Sequence, residues 1–154
     1  MGYSEAFNKA RKSIEFADHM AYITMPVVRE NKLIIKMLTE LEKALTSIIS
    51  AILQYEYSYK RISLYKSQDL NLRTFIEKSS KRYNISASEL ANIKEIFFLA
   101  KKHENSEFEF TKSENFVIMS KQNTFSVSLE KIKIYLETAK SLLKKAESII
   151  NEKR

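Results

Sequence analysis

Between Ile34 and Ile62 the apolar side chains Ile34, Leu38, Leu41, Leu45, Ile48, Ile52, Tyr55, Tyr59 and Ile62 recur at spacings that alternate between four and three. Only an α-helix, at about 3.6 residues per turn, brings such positions into one line. Met37, Ala44 and Ala51 widen that line into a face, which suits burial among several neighbours rather than a two-stranded coiled-coil seam. At about 1.5 Å per residue the helix would reach roughly 45 Å. Other helices must cover it.

The preceding segment supplies one. Tyr3, Phe7, Ala10, Ile14, Ala17, Ala21 and Val28, with Thr24 in the remaining slot, form a second stripe from Tyr3 to Glu30, and Ser4 is placed to cap it. Pro26 interrupts the stripe. Its ring conflicts with the carbonyl four residues back, so the helix is expected either to kink near Tyr22 or to stop near Met25. A kink would keep Val27 and Val28 on the core side. Asn31-Lys32 then joins the two long helices as an antiparallel hairpin.

Ser63 to Gln68 reads as polar connector, followed by a helix from about Asp69 to Tyr83 with Leu72, Phe75, Ile76 and Tyr83 inward. Asn84 tolerates a left-handed backbone and can stop it. Ser86 and Glu89 form a capping box for the next helix, which Leu90, Ile93, Phe97 and Ala100 carry forward. From Ser106 to Ser128 the period drops to two, with Phe108 and Phe110, the run Phe116–Met119, then Phe125 and Val127. These read as short antiparallel strands with turns at Lys112–Asn115 and Lys121–Asn123, and Glu107 and Glu109 facing solvent. Ser128 caps a last helix, to about Asn151, on Ile132, Leu136, Ala139, Leu143, Ala146 and Ile150.

The expected fold is therefore mainly α: an antiparallel bundle of about five helices, with a small β-hairpin or meander at about 107–127 inserted before the last. Its 154 residues suit one domain, 1–154. One glycine, one proline and no cysteine exclude glycine-rich phosphate loops, make turn-rich barrels and sandwiches improbable, and remove thiol chemistry and disulfides. The most apolar stretch, Leu33 to Leu53, is broken by Lys36, Glu40, Glu42 and Lys43, so no membrane partner is expected. Glu5, Lys9, Arg11 and Lys12 leave no apolar signal region near the start, which points to the cytoplasm.

Charge is uneven. The chain carries +7, and between Glu56 and Ile85 seven basic residues face three acidic ones, a local +4. Such a cluster is either a solvated face or an attractor of phosphates or an acidic partner, with salt-sensitive affinity. The same segment holds the run Tyr55, Tyr57, Tyr59 and, beyond it, Tyr65. Tyr55 and Tyr59 belong to the core stripe, leaving Tyr57 and Tyr65 free to stack on bases. The candidate nucleic-acid residues are Tyr57, Lys60, Arg61, Lys66, Arg73, Lys78, Lys81 and Arg82.

Of the two histidines, His19 follows Asp18, and His103 sits in Lys101-Lys102-His103-Glu104 near a helix C-terminus, where the dipole favours a cation. Neither has H-x-x-x-H or E-x-x-H spacing, so no metal or other cofactor is expected. No serine lies in a glycine elbow, and no catalytic residue is nominated.

Two long antiparallel helices followed by shorter ones, with Ala17-Asp18-His19-Met20-Ala21-Tyr22 and the stretch from Ala44-Leu45 to Tyr59, resemble the HEPN (higher eukaryotes and prokaryotes nucleotide-binding) superfamily and look like archaeal proteins of this size. The resemblance implies a helical bundle that dimerises. It also implies, in nuclease members, an Arg ahead of a His across four to six residues. The matching positions before His103 are Ile96, Phe97 and Phe98; before His19 the basic residue in range is Lys12, with Arg11 one position too far. The resemblance thus implies a catalytically degenerate member.

The expected function is a non-catalytic binding or scaffold protein that forms a homo-oligomer through a helix face or meets a protein partner. The alternative is an RNA-binding protein or HEPN-type nuclease using Lys60–Arg82 with Tyr57 and a histidine. Convergence of Arg61, Lys78, Arg82, His19 and His103 in one cleft would favour the nuclease.

Overall fold

Five helices and three strands account for most of residues 2–121 and 123–151, the part of the chain that the computed structural model describes. Helix α1 is α-helical over Tyr3–His19, passes through a π turn at Met20–Thr24 and closes as α-helix over Met25–Val28. Helix α2 spans Leu33–Ser58, and α3 spans Gln68–Thr74 before a second π turn at Phe75–Ser79. Helix α4 is Ala87–Glu104. Strands β1 (Phe108–Lys112), β2 (Asn115–Ser120) and β3 (Asn123–Ser128) form an antiparallel sheet in chain order, and α5 is Leu129–Asn151.

Helix α2 is the axis of the core. Ile34, Leu38, Leu41, Leu45, Ile48 and Ile52 are fully buried, against α1 on one side, α5 on another and α4 on a third. Each such side chain contributes about 1.5–3 kcal/mol by leaving water. On α1 the stripe is buried as expected from Phe7 through Ala21. Gly2 rather than Ser4 occupies the N-cap, because the helix begins one residue ahead of Ser4.

Pro26 does not stop the helix near Met25; the irregularity falls around Tyr22, as a π turn. The π turn lets the Met25 amide reach back to the Met20 carbonyl, five residues away. That wider register accommodates the residue that cannot donate, and the helix continues to Val28. The extra residue rotates everything after it by about 100°. Met25 therefore enters the core, and Val27 and Val28 lie 82% and 56% exposed, not on the core side.

Helix α2 also ends earlier than its stripe. Lys60 adopts a left-handed backbone (φ 59°), its amide bonds the Tyr57 carbonyl at 2.9 Å, and the Arg61 amide bonds the Glu56 carbonyl at 3.0 Å. These two bonds make a Schellman motif, which satisfies the last carbonyls and turns the chain away. Tyr59 is consequently 51% exposed rather than a core residue, and Ile62 is half-buried outside any helix. The same motif recurs at Asn84 (φ 57°), with Asn84 bonding Lys81 and Ile85 bonding Ser80. Asn84 thus acts as the stop its side chain suggested, although the regular helix has already given way at Ser79. Tyr83 is fully buried all the same.

The Ser86–Glu89 capping box is present, and Ser128 Oγ accepts the Lys131 amide at 3.2 Å. Ser67, read as connector, caps α3. In the sheet, Phe116 pairs with Val127 and Ile118 with Phe125 on the face turned to α4 and α5. Pairing with β2 fixes the phase of β1. Phe108 points outward, 60% exposed, while Glu109 is half-buried and meets His103 Nδ1 at 2.5 Å, against the expectation that it faces solvent. The β1–β2 turn lies at Ser113–Glu114, and the middle of the second turn, Gln122, falls outside the described residues.

Candidate functional site

Glu56 lies on the core side of α2, one turn past Ile52, and is only 2% exposed. A lone carboxylate there would be costly, so it must be paired. Its Oε2 accepts from Arg61 Nη1 (2.9 Å), Arg82 Nε (3.2 Å) and the Tyr83 hydroxyl (3.3 Å). The Schellman turn delivers Arg61 back onto Glu56, and the turn after α3 delivers Arg82 and Tyr83. One carboxylate thereby ties together the end of α2, its exit turn and the approach to α4. Burial first, then the Glu56 charge, pushes the Tyr83 hydroxyl far above its ordinary range.

Tyrosines surround this knot. Tyr3 packs edge-on against Tyr55 (centroids 5.7 Å), Tyr55 leans on Tyr59 (4.9 Å), and the Arg61 guanidinium lies over the Tyr59 ring at 4.7 Å. The Tyr55 hydroxyl is buried with no hydrogen-bond partner among the described residues.

The structure brings two of the sequence-nominated residues, Arg61 and Arg82, together on Glu56. The other six, Tyr57, Lys60, Lys66, Arg73, Lys78 and Lys81, are exposed, and none forms a side-chain ion pair or hydrogen bond among the described residues. Some basic residues elsewhere are engaged, Arg11 with Glu147, Lys140 with Asp18 and Lys145 with Glu89, while others, such as Lys9, Arg29 and Lys36, form no side-chain ion pair or hydrogen bond among the described residues either. Tyr65 is held at the surface by Asn71, whose side chain accepts the Tyr65 amide (2.9 Å) and donates to its carbonyl (2.8 Å).

The histidines stand apart from the arginines. His103 is sixteen residues along α4 from Ala87, and His19 is sixteen residues along α1 from Tyr3. Each is therefore about 24 Å along a helix from the end nearest the knot. A cleft of about 830 Å³ also lies between α2 and α4, beside the connector, with Ile49, Leu53, Leu72 and Phe97 in its wall. Glu42 lines it too, its carboxyl pushed up first by burial and then by Glu104.

The charge run pointed to Arg61 and Arg82, but Glu56, Tyr83 and Tyr59 were missed. Glu56 did leave a signal: it falls four residues after Ile52 and seven after Ile49, on the line that the stripe assigns to the core. Compared with protein-family models, with curated proteins and with solved structures, the chain matches none.

Proposed function

We propose that this chain is a non-catalytic binding protein, built on an antiparallel helical bundle, that takes up single-stranded RNA along the segment Tyr57–Arg82. The observation that carries the reading is the set of six exposed, unengaged side chains in that segment, five cationic and one aromatic. Cations neutralise backbone phosphates and release counterions, and a free tyrosine face stacks on a base of any identity. The distance of both histidines from the arginine pair supports binding without cleavage.

Fluorescence anisotropy of a labelled twelve-nucleotide oligouridylate, titrated with the full chain, tests this. With about four phosphates contacted, log affinity falls against log salt with a slope near −3. The pair Lys78→Glu and Lys81→Glu lowers affinity about tenfold or more at low salt. Absence of binding at 50 mM salt ends the reading.

A second property is favoured by α1. Ile23 and Val27, one turn apart, are 58% and 82% exposed, and Tyr22 and Ile134, also exposed, line one shallow depression. Apolar side chains grouped on a surface mark self-association more often than solvation. Light scattering across micromolar concentrations is expected to give twice the chain mass, and Val27→Lys to return the monomer.

A further inference from the structure

We infer that the Arg61–Arg82 pair is the seat for one phosphate group, with Glu56 as its organiser; this deepens the RNA reading above and rests on it for the source of the phosphate. Arginines frequently meet a carboxylate as a fork, with two parallel N–H bonds that use up both donors. Here neither does. Arg61 gives Glu56 only Nη1 and Arg82 gives only Nε, both to the same oxygen, so the two nitrogens lie within about 6 Å of each other. Arg61 keeps Nε and Nη2, and Arg82 keeps both terminal nitrogens, without partners among the described residues. Both side chains are one-third exposed, so the pair is partly open to solvent.

The charge fits the ligand. Two guanidiniums against one buried carboxylate leave +1, the complement of one phosphodiester. Lys60 and Lys81, the chain neighbours of the two arginines, are exposed and unengaged and extend the field to the adjoining phosphates. Holding the guanidiniums before the ligand arrives removes part of the ordering cost that flexible surface lysines incur. Tyr59 braces Arg61 from one side. The Tyr55 hydroxyl lies within the field of both arginines.

The test follows the arginine Nε–Hε resonances of the full chain by NMR during three titrations: oligouridylate, inorganic phosphate, and sodium chloride at matched ionic strength. The Arg61 and Arg82 signals are expected to move saturably with the first two and not with the third. In anisotropy, Arg82→Gln is expected to weaken oligouridylate binding about tenfold and to flatten the salt slope by about 0.7. Arg82→Lys, which keeps the charge and loses the planar donors, is expected to recover the slope and only part of the affinity. RNA binding with unmoved Arg61 and Arg82 signals, or with Arg82→Gln equal to wild type, overturns the seat and leaves the RNA reading standing. Phosphate moving those signals without any RNA binding upholds the seat and overturns the RNA reading. Equal shifts with chloride, or none with either ligand, overturn the seat. Should Arg82→Gln fail to fold, the wild-type resonances still decide.

Discussion

Replacing Glu89 by Gln isolates how much one ionised group holds two helices together. Glu89 Oε1 accepts the Ser86 amide (2.9 Å) and Lys145 Nζ (2.6 Å), and Oε2 accepts the Ser141 hydroxyl (2.5 Å). Lys145 also donates to the Asn84 carbonyl at 2.8 Å, so the carboxylate links the start of α4, the turn before it and the far half of α5. Burial opposes its ionisation, but the bonds from Lys145, Ser141 and Ser86 outweigh burial and hold the carboxyl at about 2 against an ordinary 4.5. Because the folded value is the lower one, the stabilisation is complete above about pH 4.5 and is lost as pH falls toward 2. That difference corresponds to ~3.4 kcal/mol as a ceiling, and solvent screening of a partly wet ion pair brings it to about 1.5–2 kcal/mol. For a chain of this size the loss lowers Tm by about 4–6 °C. Urea denaturation followed by circular dichroism at pH 6.5 and 2.5 checks it. Glu89→Gln is expected to cost the full amount at pH 6.5 and about a quarter of it at pH 2.5. A cost that stays the same at both pH values refutes the reasoning, since shape and capping alone would then account for it.

Other substitutions probe the remaining layers. Leu45→Ala, at a fully buried position on the axis of the core, is expected to cost about 2–5 kcal/mol in urea denaturation. Asn71→Ala removes both bonds to Tyr65 and should raise amide exchange at Tyr65, with about 1 kcal/mol lost globally. Lys60→Gly relieves a side chain held at φ 59° and should raise stability by about 1 kcal/mol, measured by the same denaturation.

What could be read in the sequence was what burial dictates. The stripe on α2 as far as Tyr55, the buried positions of α1 from Phe7 to Ala21, the capping box and the meander all follow from apolar period and turn chemistry, and all are present. The departures arise where two local solutions compete at similar cost. Pro26 excludes an ideal α-helix but does not choose between a stop at Met25 and an irregular helix that runs on, and the chain takes the second through a π turn. Strand β1 carries aromatics at alternate positions, and nothing local states which of its faces is inward. The phase comes from β2, whose Phe116 and Ile118 are committed to the core, and this sends Phe108 outward and Glu109 toward His103. At the candidate site, charge density pointed to Arg61 and Arg82, whereas their meeting depends on a contact spanning twenty-six residues between Arg82 and Glu56. No period encodes that.

The end of α2 shows why the site and the fold are one device. With a single glycine in the chain, left-handed backbone falls on Arg29, Lys60, Asn84, Ser113 and Lys121. Outside asparagine each such position costs about 1 kcal/mol and persists only where the surroundings over-determine it. At Lys60 they do: two backbone bonds close the helix, and the Arg61 side chain lands on the buried Glu56 carboxylate. Were α2 to run on to Ile62, as its apolar spacing invites, Glu56 would lose the Arg61 partner that this turn brings back and stand buried with Arg82 and Tyr83 alone. The buried acid therefore selects the early stop. The stop in turn brings Arg61 beside Arg82 on Glu56, within the segment that carries +4 of the chain's +7.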